Sequence, residues 1–313
     1  MDDQVRALLP HACDWCPRAC GADRAARERG VCGAADQLRI ARAALHHWEE
    51  PPISGDSGSG TVFFSYCPLR CVYCQNHSIA LGSTGANVSL ERLVQIFLEQ
   101  QDRGALNLNM VTPTHFAPII SEALRLARAR GLHLPVVWNT AGYETVSSVR
   151  SLQGVADVFL TDFKYASAET AAAYSHAPDY VPVALAALDQ MVAQSGEMAF
   201  DEYRGQSRMT RGVIVRHLLL PGRVEESKRL VELLWDRYGD RVLYSIMNQY
   251  TPVIDPAGPV AKRHPELLVR PTSQEYEELL DHVDSLGLED YFWQDGEAAR
   301  ESFIPTFDLE GVL

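Results

Sequence analysis

LNLNMVTPTHFAPIISEALRLARARGLHLPVVWN, residues 106–139, decides the fold. LNLNMV (106–111) reads as a short apolar strand. APIISEALRLARARG (117–131) carries apolar residues at helical spacing and closes on Gly131. LPVVWN (134–139) is a second strand. A helix joining two short apolar strands predicts parallel pairing, with helices on the faces of the sheet.

The same alternation runs in both directions. Upstream, TVFFSY (61–66) is a β-branched and aromatic strand, and SLERLVQIFLEQQDRG (89–104) is a helix with a Ser cap and a closing Gly. Downstream, DVFLTDF (157–163), GVIVRHLLL (212–220) and VLYSIM (242–247) read as strands. Helices are predicted at 144–152, 168–175, 180–195, 225–239 and 273–287. That makes about six strand–helix units of an α/β protein. A doubly wound sheet fits the alternation. Polar residues repeated at strand ends favour a closed or partly closed barrel, with its site at the C-terminal strand ends.

Apolar residues make up 46% of the 313, enough for a substantial core. Lys and Arg total 28 against 41 Asp and Glu, a net charge of −13. Nucleic-acid binding, which needs a dense basic footprint, is not expected. No apolar run reaches membrane-spanning length, and the N-terminus lacks the pattern of a signal peptide. A cytoplasmic protein without a membrane partner is expected. In a reducing compartment its seven cysteines point to metal or redox chemistry rather than disulfides.

Those cysteines form two groups. Cys13, Cys16, Cys20 and Cys32 lie in an N-terminal segment, read as a small Cys-rich module at residues 1–50. Residues 51–313 are read as the barrel with a C-terminal helix. The second group, Cys67, Cys71 and Cys74 in CPLRCVYCQN, follows the first strand directly. Three thiolates at C-x3-C-x2-C can wrap one face of a [4Fe–4S] cluster and leave one iron without a protein ligand. Zinc, with His77 as a fourth ligand, and inert thiols are the alternatives.

C-x3-C-x2-C with Tyr73 before the third cysteine resembles the signature of the radical S-adenosylmethionine (SAM) superfamily. HHWEEPPISGDSGSGTVFFSYCPLRCVYCQN (46–76), VTPTHF (111–116), NTAGYE (139–144), DFKY (162–165), RHLLLPG (216–222) and MNQY (247–250) extend the likeness. With the N-terminal CDWCPRACGADR (13–24), they resemble the PflX-like branch, related to pyruvate formate-lyase activating enzymes. The resemblance implies a partial (β/α)6 TIM-like barrel and SAM bound at the open iron. It implies reductive cleavage to methionine and a 5′-deoxyadenosyl radical, with a flavodoxin- or ferredoxin-like electron donor. The hydrogen atom would come from a glycyl-radical protein, a small molecule or a peptide. An iron–sulfur or zinc protein without SAM cleavage is the competing reading.

Several residues could hold SAM. Lys164 could pair with its carboxylate, and Asp162, two residues earlier on the strand, points the same way. Together they resemble an activating-enzyme D-x-K motif. A solvated ion pair is the plain alternative. Arg216 sits inside an apolar strand and needs an anion, either SAM or a salt-bridge partner. His217 points the other way. Asn139 and Asn248 end strands and could bond the ribose or cap turns. Tyr73 is expected near the adenine, with Gln75 and Asn76 following the cluster. A Gly-Gly-Glu-like segment, frequent in the superfamily, is replaced here by VTPTH, so Thr112 or Thr114 could take its place. His115 faces substrate or is structural. At the N-terminus, C-x2-C-x3-C-x11-C suits structural zinc, a second iron–sulfur cluster or free thiols. The loop from His46 to Gly60 is expected over the cluster side of the barrel.

Overall fold

A computed structural model describes residues 3–294 and 304–313. Its strands are β1 (Arg39–His46), β2 (Ser59–Phe64), β3 (Ala86–Asn87), β4 (Leu108–Val111), β5 (Val136–Thr140), β6 (Val158–Asp162), β7 (Ala199–Tyr203), β8 (Gln206–Leu218), β9 (Leu243–Met247) and β10 (Tyr291–Trp293). Sheet order is β10-β9-β8-β6-β5-β4-β2-β1-β3, with β7 paired to β8. From β2 through β4, β5, β6, β8 and β9 to β10, every pairing is parallel. The six strands read from the sequence are therefore the continuous centre of the sheet.

The helices form where capping and periodicity place them. Ser89 accepts the amide of Arg92 at the start of Leu90–Asp102. Ala117–Ala129 follows β4, and Val146–Ser151 starts on Thr145, whose hydroxyl accepts the Ser148 amide. Ala168–Ser175 and Tyr180–Ser195 follow β6, and Val224–Tyr238 follows β8. Ser273–Ser285 begins with a capping box between Thr272 and Glu275.

Strand alternation sorts the side chains. Val62, Phe64, Met110, Val136, Trp138, Phe159, Val213 and Val215 face the helices in the main core. Each such side chain contributes roughly 1.5–3 kcal/mol by leaving water. The opposite face points inward. There Val137, Val158, Leu160 and Ile214 pack with Met209 and Ile53 in a separate apolar layer. Above that layer the inward residues become polar: Asn109, Asn139, Asp162 and Arg216.

The sheet is curled. β4 and β8 lie three strand steps apart, about 14 Å in a flat sheet. Yet the Glu49 carboxylate bonds both Asn109 on β4 and Arg216 on β8. The fold is thus a partial, laterally open barrel of six β/α units.

Four strands go beyond the sequence reading. β1 pairs antiparallel with β2, and β3 covers its start. The backbone of 309–310 bonds Ala41 and Ala43 along the rest of that edge. β7 and β8 form a hairpin through Arg204 and Gly205, both at positive φ. Short β10 adds to β9.

Part of the loop after β1 departs from expectation: His46, Trp48 and Glu49 line the cleft that holds the cysteines, but the turn that follows does not. His46 pairs with Ser59 at the first residue of β2, the end opposite the cysteine loop. Asn107, just before β4, donates to Ile53 O at 2.7 Å. The Pro51–Ser54 turn therefore closes the N-terminal end of the barrel from below instead of lying over the cysteines. The reason is apolar: Ile53 is fully buried in the lower layer.

Candidate active site

One cleft, with about 1330 Å³ of empty space including its open mouth, lies at the C-terminal strand ends. Cys67, Cys71, Cys74, Tyr73, Gln75, Asn76, Thr112, Asn139, Asp162, Lys164 and Arg216 all line it. Thr114 and Asn248 do not. Thr114 turns away and gives its hydroxyl to the buried carboxylate of Glu144. The backbone N–H of Asn248 donates to the Gln294 side chain, and its neighbour Gln249 faces the cleft instead.

The cysteine loop is tightly shaped. Tyr66 and Arg70 adopt φ of 77° and 51°, a left-handed conformation that side chains avoid unless the surroundings impose it. The Tyr66 amide is held by Ile79 O at 2.7 Å and that of Val72 by Tyr174 O at 2.8 Å. The sulfurs already have donors. Amides of Leu69 and Arg70 face Cys67, and that of Asn76 faces Cys74. The Ser175 hydroxyl donates to Cys71 Sγ at 3.0 Å. Burial pushes the Cys67 thiol up to about 11 and the Cys74 thiol to about 12. As free thiols these groups stay protonated at neutral pH; coordination to iron reverses that preference.

The donor set of three thiols opening together into one cleft fits a four-iron cluster, which takes one thiolate per iron and leaves the fourth iron open.

Below the cysteines lies a charged floor. Arg216 donates from Nε to Asp162 (3.0 Å), from Nη1 to Glu49 (2.9 Å) and from Nη2 to Asn139 (2.7 Å). Glu49 also accepts from Asn109 and Asn139. Lys164 Nζ meets Asp162 at 2.5 Å. Burial works against the Asp162 carboxylate, but Lys164 and Arg216 hold it below the usual range. Burial likewise disfavours charge on Lys164, and Asp162 reverses this, so its pKa is raised. Arg216 is thus bound on three sides by protein. Lys164, bonded once to the protein among the described residues, is the cation better placed to meet a ligand carboxylate.

Glu49 was absent from the candidate set. Its signal was the EE pair ahead of PP, charge where a turn was about to be buried. Glu50 is buried too, and burial raises its pKa. The two histidines are structural. His115 bonds Ser65 O at 2.8 Å, and His217, on the outer face, bonds Phe163 O and the Ser227 hydroxyl.

Glu144 carries a pH prediction. Its carboxylate is fully buried, accepts from the hydroxyls of Thr114 and Thr140, and is pushed by burial to about 7. The folded state therefore binds this proton more tightly than the unfolded chain. Stability falls as pH rises from about 4.5 to 7 and is level above that. The expected loss is about 3 kcal/mol. In urea titrations, Glu144→Gln removes that part of the pH slope. An unchanged slope contradicts the assignment.

No family model matches the sequence. The chain is 27% identical over 286 residues to an uncharacterized protein of Methanocaldococcus jannaschii, covering 88% of this chain and 75% of that one. Among solved structures it is similar to a radical SAM methyltransferase from Sphaerobacter thermophilus, with a TM-score of 0.51 and 14% identity. That likeness covers 76% of this chain and 67% of the other. It is also similar to SuiB of Streptococcus suis bound to precursor peptide SuiA, with a TM-score of 0.48 and 12% identity over 74% of this chain and 47% of that one. The methyltransferase shares the mixed α/β fold with its parallel sheet.

Proposed function

We propose that this protein is a radical SAM enzyme of a branch related to pyruvate formate-lyase activating enzymes. One observation carries the reading. Cys67, Cys71 and Cys74 open together into a cleft at the C-terminal strand ends that also holds the Lys164–Asp162 pair. When bound, the cluster and SAM supply a 5′-deoxyadenosyl radical that takes a hydrogen atom from substrate.

The chain's own residues position and shield. Lys164 meets the SAM carboxylate, and Asp162 keeps its ammonium charged and aimed. Asn139, fixed by Arg216 and Glu49, offers polar contact to the ribose. Thr112 and the loop carbonyls near it are the acceptors for the SAM amino group. Tyr73, packed edge-on against Tyr174 at 5.9 Å and near Tyr250, gives the adenine an apolar wall. The lower apolar layer and Ile53 keep water from entering beneath. The hydrogen donor is a glycine of a partner protein, a small molecule or a peptide. A flavodoxin- or ferredoxin-like protein supplies the electron.

Labelled SAM in equilibrium dialysis tests the binding step. The cluster-loaded chain retains SAM, and Lys164→Met weakens retention about tenfold or more, the worth of one charge-assisted bond. Equal retention by the metal-free chain would remove the open iron from the account.

Ser175 adds a prediction of its own. A donor on a cluster thiolate favours the reduced state. Ser175→Ala lowers the cluster potential by roughly 50 mV, the equivalent of one hydrogen bond in a one-electron couple. Redox titration followed by electron paramagnetic resonance (EPR) reads the shift, and an unmoved potential contradicts it.

A further inference from the structure

The four N-terminal cysteines lie outside the cleft, and the radical chemistry does not use them. Cys13, Cys16 and Cys32 are buried and Cys20 is half-buried. They come together in space. A methyl group placed on Gly30 would sit 3.3 Å from Cys20 Sγ and 3.4 Å from Cys32 Sγ. The Cys20 side chain meets that of Cys13, and Cys16 lies close to both Cys13 and Cys32.

Their backbone repeats one device four times. The amide two residues on faces each sulfur: Trp15 for Cys13, Arg18 for Cys16, Ala22 for Cys20 and Ala34 for Cys32. The last is a hydrogen bond of 3.4 Å. Amides aimed at sulfur stabilise thiolate, the form that binds metal. Asn76 does the same for Cys74 in the other group.

Regular structure does not account for this segment's order. Between Ala7 and Arg39 no helix or strand occurs among the described residues. Turns hold it, such as Cys13 N to Ala22 O at 3.1 Å and Gly21 N to Cys13 O at 3.0 Å. So short a stretch buries little core, and ligation would supply the missing folding energy.

We infer that Cys13, Cys16, Cys20 and Cys32 hold a second metal centre, fully ligated by protein. Four thiolates close the site to any further ligand, and a [4Fe–4S] cluster or zinc takes that donor set.

This site touches the first one. Arg18, between Cys16 and Cys20, donates to Pro68 O at 3.0 Å and Ser175 O at 2.8 Å. Arg70 in the triad loop donates back to Val31 O at 3.3 Å. Gly33, at φ 97°, is pressed on the Tyr66 ring, where a Cβ would come to 2.9 Å. The second centre therefore braces the triad loop from outside.

The test uses the full chain, reconstituted anaerobically with iron and sulfide. Iron, sulfide and zinc are counted in the wild type, in Cys67→Ala/Cys71→Ala/Cys74→Ala and in Cys16→Ala/Cys32→Ala. The wild type binds about four irons at the triad and, in addition, either about four more irons with matching sulfide or one zinc. The triad variant keeps that second metal and Cys16→Ala/Cys32→Ala loses it. If the triad variant fails to fold, the wild-type count decides alone. About four irons and no other metal overturns the proposal. That outcome does not touch the triad's own role, which Cys16→Ala/Cys32→Ala reads separately.

Discussion

Cys71→Ala empties the triad of iron and lowers SAM cleavage by more than a hundredfold. Changes to groups that merely orient a ligand cost about 10–100-fold, so loss of the ligand itself sets a higher floor. The position allows a clean reading. Cys71 is only half-buried, and its loop is held by backbone bonds such as Val72 N to Tyr174 O that the substitution leaves in place. The thermal midpoint of the metal-free variant should stay within a few degrees of the metal-free wild type. Cys71→Ser keeps the shape but presents a hydroxyl that Ser175 can bond without iron. It should fail like the alanine. Retention of triad iron by either variant, counted alongside sulfide, contradicts the ligand assignment.

Arg216→Leu should be the most destabilising single change in the cleft. It leaves the Glu49 and Asp162 carboxylates without the guanidinium that bridges them, both less than one-fifth exposed. Breaking a buried pair from one side costs about 3–5 kcal/mol. Arg216→Lys recovers part of this, because a single ammonium cannot reproduce three bonds in a fixed fork. The pH dependence follows from Asp162. Its folded pKa lies below the ordinary value, so its contribution is present at neutral pH and fades as pH falls through that folded pKa. In the leucine variant that support is gone and Asp162 takes up its proton sooner. The gap between variant and wild type therefore narrows toward acid. Urea titrations at neutral and acidic pH measure it. A neutral-pH loss under about 1 kcal/mol contradicts the bridging role.

The site was legible where it depended on local spacing. The βαβ pattern of 106–139, the Ser89 cap and the helices at 168–175 and 180–195 are short-range features, and they form where the sequence predicts. Strand parity alone set His217 opposite Arg216; the structure shows that Arg216 and Asp162 face the cleft and His217 faces the helices. What the sequence hid was pairing at long range. β1 carries apolar residues without clean alternation, and only its pairing with β2 shows that 39–46 extends the sheet. Thr114 read as a cleft residue because it follows a strand end. A short 3-10 turn at Thr114–Phe116 instead rotates its hydroxyl onto Glu144, thirty positions away. Glu49 enters from below because Ile53 anchors its turn among inward residues of β5, β6 and β8. No window of adjacent sequence contains that contact.

The central claim is that the triad's cluster and the strand-end groups cleave SAM. Anaerobic incubation of the loaded chain with SAM and dithionite, followed by chromatography, tests it most directly. The account predicts 5′-deoxyadenosine and methionine in equal amounts, with none from Cys71→Ala. A fully loaded wild-type cluster that yields no 5′-deoxyadenosine, with SAM recovered intact whether or not candidate glycine-containing peptides are added, would contradict it.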